Sequence, residues 1–187
     1  MADDVPVTAA TSFLSIRTFI ESRYGAGSFR RVREAVLERG HPDYPAVLVP
    51  TAKYPTAMLF ATIEAAHDVL GPEDFYESCG RGIVEYEVNV FLRFALKLSS
   101  PRGVLDHATE AWRKVHSTGE WNISGPDGAV RAELVGFATT EGYCRLLAAY
   151  FRRLFELTGA RDVGVQHVEC RARGAKTCRY LATWKTR

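Results

Sequence analysis

Three of the four cysteines, together with one histidine, are spaced so that they can do chemistry. The run HVECRARGAKTC places His167 three residues before Cys170, and Cys178 follows eight residues later. Gly174 stands midway between these two cysteines, so a hairpin centred on it opposes their side chains on one face. Thiols so placed share a tetrahedral metal ion, with metal–sulfur bonds near ~2.3 Å, or close into a disulfide. Cys144 lies about one turn into a segment that reads as a helix. The N-terminal end of a helix lowers a thiol's pKa toward the thiolate that a metal requires. Free cysteines also serve as small buried hydrophobes, so the residues alone leave ligation, a disulfide and core packing open. In an ideal strand His167 and Cys170 point to opposite faces, and a β-bulge between Val165 and Cys170 is expected to re-aim one of them.

The elements that must hold these groups change period once. Residues 1–10 read as a flexible tail, and 11–187 as a single domain. Phe13, Ile16, Phe19 and Ile20 recur at helical spacing until Gly25 stops them. Ser28 opens a second helix through Val32, Ala35 and Val36, with Gly40 beyond its end. HPDYPAVLVP is a proline-rich crossing, after which Pro55 opens a third helix closed by Gly71. From Asp74 to about Leu98 the pattern predicts the longest helix, central and largely buried. Another follows Ser100-Pro101 and carries Leu105, Ala108 and Trp112. At Gly119 the period falls to two: Trp121 and Ile123, the turn GPDG, then Val130, Ala132 and Leu134 predict a hairpin. Thr140 caps a helix from Glu141 to about Thr158, and two further strands follow. The predicted class is α+β, N-terminal helices followed by a ββαββ antiparallel sheet.

Composition excludes more than it selects. The 187 residues are 47% apolar and 25% charged, with a net charge of +2. That balance suits an ordinary globular domain and gives no strong pull toward nucleic acid. No apolar run is long enough to span a membrane, and the acidic start lacks a secretion signal. A cytoplasmic location follows, where clustered cysteines are ligands or reactive thiols more often than disulfides. No nucleophile elbow, Walker loop or HExxH is present, so the expected role is not enzymatic. Arg171, Arg173, Lys176 and Arg179 read as a solvated hairpin tip.

The ending TGARDVGVQHVECRARGAKTCRYLATW resembles the close of the 4-vinyl reductase type domain, the sensing module of phenol- and xylene-responsive activators. That domain is similar in fold to Bet3-like subunits of the TRAPP complex and, more distantly, to haem nitric-oxide-binding domains. The stretch FLRFALKLSSPRGVLDHATEAWRKVHSTGEW, with the Cys-rich end, resembles a myxobacterial paralogous family of unknown function. The resemblance implies a structural zinc held by Cys144, His167, Cys170 and Cys178, with Glu169 as a substitute for His167. A closed set of four protein ligands leaves no open position for catalysis. It also implies an apolar pocket walled by Phe94, Trp121, Ala148, Leu154 and Val165, taking an apolar or aromatic small molecule. Haem is disfavoured: His67, His107 and His116 are possible axial ligands, but no Tyr-x-Ser-x-Arg clamp accompanies them. Two functions follow, a zinc-containing sensory domain that signals to a partner, or a Bet3-like adaptor with a filled core. A homodimer or protein partner is expected for either.

Overall fold

A computed structural model describes residues 5–71, 73–88 and 90–185. Helix α1 (Ala10–Tyr24) buries Phe13, Ile16, Phe19 and Ile20, and ends at Gly25 with φ 92°. Helix α2 (Ser28–Glu38) and helix α3 (Thr56–Leu70) follow, the latter closed by left-handed Gly71, whose N–H donates to the His67 carbonyl. The expected tail is ordered from Val7 onward. Strand β1 (Val7–Ala9) pairs antiparallel with β2 (Lys53–Pro55). The physical reason is Thr8, which is fully buried and bonded to the side chains of Thr56 and His116, each at 2.9 Å.

The long helix expected from Asp74 to Leu98 is two helices, α4 (Phe75–Glu87) and α5 (Val90–Lys97). Val88 between them is extended (φ −90°, ψ 93°), and its carbonyl accepts from Arg93 Nε at 3.2 Å. The expected burial fails on α5, where Phe94 is 65% exposed and Leu98 beyond it is 75% exposed. α6 (Pro101–Asp106) and α7 (Ala108–Val115) replace the single helix expected after Pro101. Ser100 caps α6 by accepting the Gly103 N–H at 3.1 Å, and Pro101 occupies the first turn, where its missing N–H costs nothing.

The sheet comprises β3 (Glu120–Ser124), β4 (Ala129–Val135), β5 (Arg161–Glu169) and β6 (Cys178–Lys185), antiparallel throughout, in the order β3-β4-β6-β5. Helix α8 (Glu141–Leu157) runs between the two hairpins in sequence and covers the sheet's inner face. Alternate residues Val130, Ala132, Leu134, Tyr180, Ala182 and Trp184 bury there, the period-two pattern of a half-covered sheet. On the outer face Arg179 bridges Glu133 at 2.7 Å and Glu169 at 2.5 Å. Helix α4 lies against α8 so closely that a Cβ on Gly80 would sit 2.2 Å from the Leu146 carbonyl oxygen. The mixed α+β class therefore stands.

Candidate functional site

Two sites share α8. At its N-terminal end Thr140 caps the helix by accepting the Tyr143 N–H at 3.1 Å, which fixes the turn bearing Cys144. The β5–β6 ladder shifts register between His167 and Glu169, where a bulge was expected. A 3-10 turn (Arg171–Arg173) then ends at left-handed Gly174 and returns the chain to Cys178. Cys144 Sγ lies 3.5 Å from Cys178 Sγ and 4.0 Å from Cys170 Sγ. The donor atoms of Cys144, His167, Cys170 and Cys178 all lie within 4.8 Å of one another. Metal–sulfur bonds of ~2.3 Å place tetrahedral sulfurs ~3.8 Å apart, between the two separations seen, whereas a disulfide needs ~2.05 Å.

The surroundings favour donor electrons pointing inward. The Arg171 amide donates to Cys178 Sγ at 3.4 Å, and Thr139 Oγ1 lies 3.3 Å from Cys144 Sγ. A hydrogen bond from Cys144, opposed by desolvation and aided by His167 and the Arg171 amide, holds the Cys178 thiol well below its ordinary range. Cys144, the donor of that pair, is pushed up in turn. The His167 ring stacks on Tyr180 with centroids 4.9 Å apart, and its Nε2 is buried without a hydrogen-bond partner. Glu169, the alternative donor, is occupied instead with Arg179.

Farther along α8 a cavity of about 200 Å³ opens between α1, α3, α4, α7, α8 and β3. Its wall is mainly apolar, and Tyr143, Leu147, Tyr150, Phe151 and Leu154 form the α8 side. Of the five residues expected at a pocket, Trp121 and Leu154 border this cavity. Phe94 does not, because it lies on the exposed face of α5, whose Leu96 is the residue that packs inward. Ala148 and Val165 face a different, polar cleft of about 320 Å³, together with His167, Arg145, Arg152 and Arg173. In that cleft Arg173 pairs with Glu141 at 3.5 Å and Arg152 with Glu77 at 3.7 Å. The basic run is thus largely self-paired, Arg171 also donating to the Phe137 carbonyl at 2.9 Å.

The sequence reading missed Tyr143, Tyr150 and Glu87 as cavity residues. The stripe 143, 147, 150, 151, 154 was present at helical spacing, but the neighbouring stripe through Cys144 masked it. Tyr150 donates to Glu87 at 2.9 Å at the cavity's edge. His116, buried in the wall, is bonded to Thr8 and lies 3.4 Å from the Tyr143 hydroxyl; burial lowers its pKa to about 4, so it is neutral. His67 and His107 lie elsewhere, beside Asp68 and the Gly103 carbonyl. Among the described residues no helix is long and apolar enough to cross a membrane.

No family model matches the chain, and no curated protein matches it. Solved structures do. Fe(II) unliganded H-NOX protein mutant A71G from K. algicida superposes with TM-score 0.69 at 7% identity, covering 95% of this chain and 97% of that one. An H-NOX protein from S. oneidensis in the Fe(II)NO ligation state gives 0.64 at 15%, covering 95% and 99%. A third, from work on modulating heme redox potential through protein-induced porphyrin distortion, gives 0.63 at 16%, covering 95% and 99%. The chain therefore has the fold of H-NOX domains. This corrects the resemblance to 4-vinyl reductase, Bet3-like and myxobacterial proteins, which rested on the Cys-rich ending and on the stretch 91–121. It also corrects zinc as the expected cofactor, since the proteins sharing this fold are described with iron and heme.

Proposed function

We propose that this chain is a single sensory domain that binds an uncharged small molecule in the α8 cavity and signals to a protein partner or a second copy. The observation that carries this reading is an apolar cavity at the centre of a fold shared with an H-NOX protein described in the Fe(II)NO ligation state. A role in binding rather than catalysis goes with it. A cytoplasmic setting would keep the three buried thiols reduced. The adaptor reading loses its support along with the Bet3 likeness.

The fold family implies haem, and the residues present do not fit it. At about 200 Å³ the cavity is smaller than the ~300–1,000 Å³ of ordinary ligand pockets, before a macrocycle is considered. Among the described residues lining it there is no arginine or lysine to pair with two propionates, and Glu87 would oppose them. The one imidazole in the wall, His116, already has Thr8 and Tyr143 against its two nitrogens.

In the same proposal Cys144, His167, Cys170 and Cys178 hold one thiophilic metal ion that ties the last hairpin to α8. Sulfur separations near those of a tetrahedron and the unpartnered His167 Nε2 support it. Native mass spectrometry of the purified chain tests both halves. A metal mass with an uncharged small-molecule adduct is expected. A stoichiometric haem mass, or a chain carrying neither adduct, would overturn the reading.

A further inference from the structure

Among the described residues of the cavity wall, several polar groups already have protein partners. Tyr150 is bonded to Glu87, His116 to Thr8, and Trp112 Nε1 to the Thr118 carbonyl at 2.9 Å. Trp121 is 5% exposed, borders the cavity, and has its indole N–H buried with no acceptor. No protein acceptor lies within reach of it. The residue's backbone is pinned on both sides by Thr109, whose hydroxyl donates to the Trp121 carbonyl and accepts its N–H. Three rings close around it: Phe151 at 5.2 Å, and Trp112 and Tyr180 at 5.6 Å. Buried donors without partners are rare because each forfeits a hydrogen bond to water. Trp121 borders an empty apolar space, and a small tilt of its ring would bring this donor to a ligand acceptor there.

We infer that the cavity selects a small, uncharged, monocyclic molecule carrying one hydrogen-bond acceptor, such as a carbonyl, which takes the Trp121 Nε1 proton. This rests on the cavity reading above and adds the ligand's chemistry to it. Size sets the upper bound: apolar cavities of ~150 Å³ take up benzene, so about 200 Å³ suits a ring with a short substituent. Charge is excluded because the wall offers no cation to an anion, and burying an unpaired charge is far costlier than burying a carbonyl. Trp184 Nε1 is also buried without a partner but does not line the cavity, and so serves as an internal control.

Calorimetric titration of the full chain with acetophenone, ethylbenzene and benzoate tests the inference. Acetophenone and ethylbenzene are expected to bind one to one, and benzoate not at all. In Trp121→Phe the affinity for acetophenone should fall about tenfold, the worth of one buried neutral hydrogen bond, while that for ethylbenzene moves less than about threefold. Trp184→Phe should leave the ratio of the two unchanged. Proton–nitrogen spectra of the wild type give a second readout that needs no variant. Of the three indole N–H signals, Trp121's should move downfield with acetophenone and not with ethylbenzene. Binding of both molecules with an unmoved Trp121 signal and a Trp121→Phe ratio like the wild type would overturn the inference and leave the cavity reading standing. Binding of neither would overturn both.

Discussion

At one end of α8 four polar side chains converge until their donor atoms lie within 4.8 Å. Along the next turns of the same helix apolar side chains draw apart and leave about 200 Å³ of space. The contrast lies in how each is held. The cluster is positioned by directional groups: a helix cap at Thr140, a bulge after His167, and an amide aimed at Cys178. The cavity wall is held by packing, which has no direction and tolerates rearrangement. Yet the two are adjacent. Trp121 on the cavity packs on Tyr180, and Tyr180 stacks on His167 in the cluster. The proposed metal cross-link would stand beside a yielding pocket, as the proposed sensory role requires.

The largest expected effect would break the rigid half. Cys178→Ser should release the metal and cost about 3–5 kcal/mol of stability, read by urea unfolding, and a strong chelator should bring the wild type to the same midpoint. If the wild type unfolds identically with and without chelator and carries no metal, the cluster is thiol packing and the contrast collapses. Gly80→Ala strikes the shared wall. Its Cβ must displace the Leu146 carbonyl, so α4 and α8 separate at a cost of about 3 kcal/mol, with ligand affinity lost as the wall moves.

Acid probes the cavity side through His116. Burial lowers its pKa from 6.5 to about 4. The unfolded chain takes up this proton first, so stability is fully present above pH 6.5 and falls as pH drops toward 4, by about 3 kcal/mol in all. His116→Gln should flatten that slope, as measured by denaturation at closely spaced pH values. An unchanged slope would assign the acid sensitivity to the cluster's thiolates instead. The smallest stability effect should come from Ala108→Leu, which fills the cavity from α7. It is expected to change stability by less than about 1.5 kcal/mol while abolishing acetophenone binding. Undiminished binding in that variant would place the ligand outside the cavity.

Much of the scaffold was legible because its signals are local. Gly25, Gly71 and Gly174 stop or turn the chain where positive φ is needed, and Thr140 starts α8 with its own hydroxyl. The His167–Cys170 bulge followed from strand parity alone. What failed was also local in cause. The stretch after Val88 looked apolar on most sides, yet α5 buries Leu96 and leaves Phe94 in solvent. The family resemblance failed for a different reason. Short matched stretches record local structure, and many chains fold single hairpins and helices alike.

The amino-acid sequence by itself determined the α+β class, the first three helices, the two hairpins flanking α8, and which four side chains stand at the cluster's corners. Periodicity, caps and spacing act over a few residues, and the chain writes them directly. Only the tertiary structure decided that a cavity exists, that Tyr143 and Tyr150 border it, and that the Trp121 N–H has no acceptor. Those facts depend on segments such as Thr8 and His116, 108 positions apart, being brought together. An empty volume is the difference between many packed side chains, and no single stretch of sequence encodes a difference.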